Sequence, residues 1–128
     1  VLATDHVSGV RFAHLGTTLA ELPTVRARLA EAELRYLQAR AYLYTVAEQI
    51  AAGAPEAKVG VLALKAVAAE AAVDVTDAAM RVCGGAAYSR HLPLERLFRD
   101  ARAATVMAPT TDVLLDLLGK TMTGQELF

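Results

Sequence analysis

Arg81-Val82-Cys83-Gly84-Gly85-Ala86-Ala87-Tyr88, then Pro93-Leu94-Glu95-Arg96-Leu97-Phe98-Arg99-Asp100-Ala101-Arg102, then Met107-Ala108-Pro109-Thr110-Thr111-Asp112 are the words that decide the fold. Paired glycines at 84 and 85 stop a long alanine-rich helical run, because glycine takes positive φ without a Cβ penalty. They also let a ligand or another chain come close to the backbone. Pro93 suits the first turn of a new helix, whose polar positions are Glu95, Arg96, Arg99, Asp100 and Arg102. Pro109 ends that helix, and Thr110, Thr111 or Asp112 can cap the next one.

Outward from this stretch, helical spacing predicts long helices over 24–52 and 56–82 and short ones over 94–106 and 111–120. The first is bounded by Pro23 and by Gly53 and Pro55. It carries one apolar stripe through Val25, Leu29, Ala32, Tyr36, Leu43, Ala47 and Ile50. A second stripe runs through Leu34, Leu37, Ala41 and Tyr44, so the helix is expected to lie between neighbours on two sides. The second long helix is rich in alanine, which permits close helix approach, and Asp77 and Arg81 can pair across one turn. Residues 1–22 read as irregular or as the end of a helix, since Ser8, Gly9 and Gly16 weaken any longer run. Residues 125–128 read as extended. No alternating strand pattern appears. The expected fold is all-α, a single domain that is an antiparallel bundle of two long and two short helices.

Composition narrows the function. Of 128 residues, 55% are hydrophobic, above the roughly 45–50% usual for soluble domains, so surplus apolar surface is expected to meet other subunits or domains. A net charge of −1 gives no pull toward nucleic acid. The run 59–82 is interrupted by Lys65, Glu70, Asp74 and Asp77, so no membrane span is expected. One cysteine, Cys83, excludes an internal disulfide and fits a reducing, cytoplasmic setting. His6, His14 and His91 share no metal-ligand spacing, which makes a zinc site unexpected. The chain begins at Val1, as expected for a piece of a longer protein.

The three linked words resemble the C-terminal helical domain of the acyl-CoA dehydrogenase family of FAD-dependent flavoproteins. That family joins Leu-Gly-Gly-x-Gly-aromatic to Pro-x-Glu-basic-x-x-Arg-Asp-Ala-basic, with Glu-Gly-Thr following. Here the counterparts are Cys83 to Tyr88, Pro93 to Arg102 and Ala108-Pro109-Thr110. The resemblance implies that Gly84 and Gly85 lie against FAD bound mainly by a neighbouring subunit. Arg81 replaces a glutamine that contacts the cofactor, and an arginine there can pair with the FAD pyrophosphate or with Asp77. Thr110 matches a threonine that contacts FAD, and Asp112 is read as a cap. The family's FAD-contacting arginine in Arg-x-x-Phe-Gly falls on Phe12 when Gly16 is the anchor, with Arg11 one residue early. Arg11 is therefore a candidate only through a local slip. The Arg-Asp-Ala element is implied to be structural, tying helices together.

Position 108 departs from the family. The catalytic glutamate of Glu-Gly-Thr abstracts the α-proton of an acyl thioester, and that role needs a carboxylate. Ala108 has none, so no residue of this chain is expected to be catalytic. The base would come from an earlier helix or a partner subunit. The implied function is a C-terminal domain that oligomerises, as dimer or tetramer, and closes the FAD site of an acyl-CoA desaturating enzyme. By itself the chain is expected to be inactive, and acyl-CoA is the substrate only of the complete protein. The rival readings are a non-catalytic helical interaction module, a structural subunit of a mixed oligomer, and a flavin monooxygenase of the same superfamily.

Overall fold

A computed structural model describes residues 1–14 and 16–126. It contains five α-helices and no strand among the described residues: α1 (Leu2–Gly9), α2 (Pro23–Ala51), α3 (Ala57–Cys83), α4 (Leu94–Val106) and α5 (Thr111–Met122). The four expected helices are present, with ends shifted by two residues at most. Residues 1–22 carry more order than expected. α1 buries Ala3 and Val7, an isolated antiparallel bridge joins Arg11 to Thr18, and a 3₁₀ turn spans Leu19–Glu21. Gln125 and Glu126 lie outside any helix, and Leu127 and Phe128 fall outside the described residues.

α3 is the axis. It contacts α1, α2, α4 and α5, and its own apolar side chains are small or β-branched enough to admit neighbours on several sides. α2 runs antiparallel to it: Gly60 of α3 meets Val46 and Gln49 of α2, while Arg35 of α2 meets Asp74 of α3. At the first crossing a Cβ on Gly60 would stand 2.8 Å from Gln49 Oε1 and 3.3 Å from Val46 Cγ2. Val46 is wholly buried there, although it belongs to neither expected stripe. It continues the spacing of Val25, Ala32 and Ala39, whereas Leu43, Ala47 and Ile50, through which the expected stripe ran, are exposed. The close approach itself depends on a glycine on the other helix.

The far end of the pair holds the main core. Ala3 and Val7 of α1, Val25 of α2, Val82 and Cys83 of α3, Ala87 and Leu94 form one buried cluster, closed by Leu19, Leu22 and Leu92. α4 then returns along α3, and α5 inserts Leu114 and Leu117 against the bundle. α2 is covered on one side only. Leu34, Leu37 and Tyr44 of the second expected stripe remain exposed, and so do Tyr36, Leu43 and Ile50 of the first, so neither stripe is covered along its length among the described residues.

Candidate functional site

The end of α3 is where the diglycine acts. Gly84 leaves the helix at φ 56°, ψ −140°, with its N–H donating to the carbonyl of Met80, a conformation that β-carbon-bearing residues rarely adopt. Gly85 lies in the following 3₁₀ turn, Gly84–Tyr88, at negative φ. Both are exposed, and a Cβ built on either meets nothing within 4 Å. Gly84 is explained by its φ. Gly85 is explained by nothing among the described residues: it needs neither positive φ nor room. Only one of the two expected positive-φ positions is used.

One turn earlier, Arg81 donates from Nε to Asp77 Oδ2 at 2.6 Å, the pair expected from spacing. Both lie on a polar groove of about 450 Å³ between α2 and α3, which also takes Arg28, Glu31, Arg35 and Asp74. Arg35 reaches Asp74 at 3.3 Å across the two helices. The guanidinium of Arg81 is more than half exposed and keeps donors free for an anion. Next to it Cys83 is buried, and burial pushes its thiol pKa up, so it stays protonated and inert at neutral pH.

The segment 107–110 between α4 and α5 forms a second group. Ala108 is exposed, and the peptide between it and Pro109 is cis. Thr110 is the N-cap of α5 and accepts from the N–H of Val113 at 3.5 Å, so Thr110 takes the capping role that Thr111 and Asp112 were also candidates for. Thr111 Oγ1 is buried without a hydrogen-bond partner. Lys65 of α3 holds this segment, donating from Nζ to the carbonyl of Met107 at 3.0 Å and to that of Pro109. Lys65 lies 19 positions before Gly84 on one helix, so the two groups stand about 28 Å apart along its axis at 1.5 Å per residue.

Arg11 belongs to neither group. It is exposed on the bridge with Thr18 and does not line the groove that holds Arg81. Phe12 packs edge-on against His14, ring centroids 5.3 Å apart. The Arg-Asp-Ala helix packs along α3, but its charges do not make the tie. Arg99 pairs with Glu95 at 2.9 Å within α4, and no side chain of this element hydrogen-bonds to another helix among the described residues. Asp100 instead sits on the rim of an apolar groove of about 610 Å³ formed with Tyr36, Leu43, Tyr44 and Leu97.

Two features escaped the sequence. Lys65 read only as an interruption of an apolar run, yet it is the sole charge between Lys58 and Glu70, and an isolated charge in such a run was the available signal. The apolar groove needs residues from three helices and has no linear signature. Among the described residues no group of three or more His, Cys, Asp or Glu side chains could hold a metal, and no helix is long and apolar enough to cross a membrane.

An axial helix ended by diglycine, with an Arg-Asp-Ala helix folded back along it, defines an all-α domain of one recognisable class. The model described as "Acyl-CoA dehydrogenase, C-terminal domain" matches residues 11–123, and the chain belongs to that family, whose cofactor is FAD. It is 33% identical over 127 residues to the 3-sulfinopropanoyl-CoA desulfinase of Paraburkholderia xenovorans, covering 98% of this chain and 31% of that one. Solved structures share the fold. A chain from work on the electron transferring flavoprotein of Acidaminococcus fermentans superposes with a TM-score of 0.87 at 21% identity, over 94% of this chain and 31% of that one. The FAD complex of PigA gives 0.86 at 21% identity over the same shares, 94% and 31%. The chain thus spans about a third of the length of these relatives.

Proposed function

We propose that this chain is the C-terminal domain of an acyl-CoA dehydrogenase-like flavoprotein, and that it helps close an FAD site and self-associates. Gly85 carries the reading. It is exposed, its surroundings are open, and its backbone angle suits any residue, so a glycine there makes sense when something outside the chain approaches. Arg81 beside it offers a planar cation to a pyrophosphate. Gly84 and Gly85 would hold a flavin by exposing backbone, and Thr110, on the other segment, would also meet a flavin. Their separation of about 28 Å along α3 favours the two groups serving different flavin sites. Bound FAD would supply two-electron acceptance; the chain's own residues bind and enclose it.

Self-association uses the apolar groove, and the occupant is a second copy. Arg40 of α2 and Asp100 of α4 both line it, so a two-fold contact sets the cation of one copy against the anion of the other. To test the cofactor half, Gly85→Leu is made in the intact protein. Flavin content should fall at least tenfold, while the melting temperature stays within a degree or two, because the added side chain meets nothing in its own chain. Full flavin retention would refute it.

Ala108 favours a second reading of the reaction. With no carboxylate at 108, the complete enzyme either draws its base from elsewhere or performs acyl-CoA chemistry that needs no such base. The relative at 33% identity bears the name of a desulfinase, which suits the latter. Flavin bleaching by a panel of acyl-CoAs separates the two. A wild type that bleaches draws a base from elsewhere. A protein that is inert both as wild type and as Ala108→Glu performs chemistry that needs no such base, and one that Ala108→Glu alone restores has simply lost its base at 108.

A further inference from the structure

Nearly every side-chain hydrogen bond among the described residues is local, spanning six positions or fewer; the two made by Lys65 span 42 and 44. Its ammonium, half-buried on α3, reaches the carbonyls on either side of Ala108. One belongs to Met107, the C-cap residue of α4, and the other to Pro109, directly before the N-cap of α5. Met107 and Thr110 are each tied only to the helix beside them, the Met107 N–H donating to Ala103 and the Leu114 N–H to Thr110, both at 3.0 Å; Met107, Ala108 and Pro109 are exposed. Among the described residues no other side chain donates to this segment from another element. A primary ammonium is well suited to bridging two carbonyls. It carries three donors on a flexible stem, and a charged donor makes bonds roughly twice as strong as a neutral one.

We propose that Lys65 is a positioning residue, which clamps the 107–110 segment to α3 and so sets where Thr110 meets the flavin. This rests on the reading above that Thr110 faces FAD. Lys65 itself touches no cofactor and acts through the two carbonyls. The geometry also separates two duties of Thr110. Its capping bond to Val113 is long at 3.5 Å and is made within α5, so the cap alone cannot place the segment against α3.

The test uses the intact protein with Lys65→Met, which keeps the stem and removes the donors, and Lys65→Arg, which restores a cation. Two quantities are read: amide hydrogen exchange at Met107, Val113 and Leu114 against amides near Val46 as an internal control, and the dissociation constant for FAD. In Lys65→Met both should rise by about tenfold or more, the size of one lost charge-assisted hydrogen bond, with the Val46 region unchanged. Lys65→Arg should recover most of both. Unchanged exchange at 107–114 would overturn the clamp. Faster exchange with unaltered flavin affinity would make Lys65 a structural tie only and overturn the positioning role. A wild type that holds no flavin would defeat the cofactor reading separately, leaving the exchange result to decide the clamp. If Lys65→Met does not fold, Lys65→Gln, with a shorter neutral donor, gives the same comparison at smaller amplitude.

Discussion

The two grooves along α2 share a helix and little else. Toward its start, the seam with α3 is charged and answers itself: Arg35 meets Asp74 and Arg81 meets Asp77. Toward its end, the surface formed with α3 and α4 is apolar and covered by nothing among the described residues. Tyr36, Leu43, Tyr44 and Leu97 are exposed, and Arg40 lies over the Tyr44 ring at 5.0 Å and donates to its hydroxyl at 3.5 Å. Exposed ion pairs contribute at most about 1 kcal/mol each, so the charged seam neither holds the fold nor needs a partner. Apolar area gains about 25 cal/mol per Å² on being covered, so the other groove is the one that the proposed second copy would cover. One helix thus presents a face whose charges are paired beside an exposed apolar face, and the proposed self-association uses the second.

The sharpest way to break this contrast is to charge the apolar face. Leu43→Asp should leave the monomer folded, since Leu43 is 46% exposed, and should weaken self-association by about two orders of magnitude or more. Sedimentation across a concentration series reads this directly. An unchanged assembly would show that the groove faces something other than a second copy. The same substitution in the charged seam, Leu34→Asp, should leave the assembly intact.

Next in size is the crossing that fixes how α2 sits on α3 and therefore how both grooves open. Gly60→Leu forces a side chain against Gln49 and the buried Val46. The gain in helix propensity over glycine, about 1 kcal/mol, offsets part of the clash. The net loss should be about 1–3 kcal/mol in unfolding free energy, measured by urea titration. Stability equal to wild type would mean that the helices slide apart freely.

What the sequence revealed follows the range of the forces involved. Helix spans, the diglycine stop and the Asp77–Arg81 pair depend on residues within a turn or two of each other, and all were legible. Val46, Lys65 and the apolar groove depend on helices that meet in space. Val46 falls on the seven-residue spacing of Val25, Ala32 and Ala39, so α2 alone marks its face, but how closely α3 approaches it depends on Gly60, fourteen positions later. Position 108 was legible as a missing carboxylate; the lysine that holds it was not. For Arg11 the chain holds that position on the bridge to Thr18, apart from the groove of Arg81, so the expected slip toward the cofactor has no geometric support within this chain.

A smaller effect checks the claim that the charged seam is self-contained but weak. A double-mutant cycle on Arg35→Ala and Asp74→Ala should give a coupling below about 1 kcal/mol, shrinking further in salt. A larger, salt-resistant coupling would make the seam a structural element, and the contrast between the grooves would fail on that side.

The smallest expected effect lies at the entry to α2, where a charge is held by hydrogen bonds instead of by another charge. Glu21 accepts from the Thr18 N–H at 2.9 Å and from the Thr18 hydroxyl at 3.0 Å. These bonds, the backbone one foremost, hold its carboxyl below the ordinary value of 4.5, with Arg11 and Arg26 adding weaker attraction. A depressed carboxylate pKa stabilises the fold above the unfolded value, and that stabilisation is lost as pH falls through the folded value. The window therefore opens below pH 4.5, and near neutrality the contribution is complete. Because hydrogen bonds dominate, about 1 M salt, with a Debye length near 3 Å, should remove little of the shift. Carboxyl titration by NMR should place the Glu21 midpoint below that of an unperturbed glutamate, and Thr18→Ala should bring it part of the way back. A midpoint that returns to the ordinary value in salt alone would assign the shift to Arg11 and Arg26. The turn before α2 would then be held as the seam is, by exposed charges, and not by a capping bond.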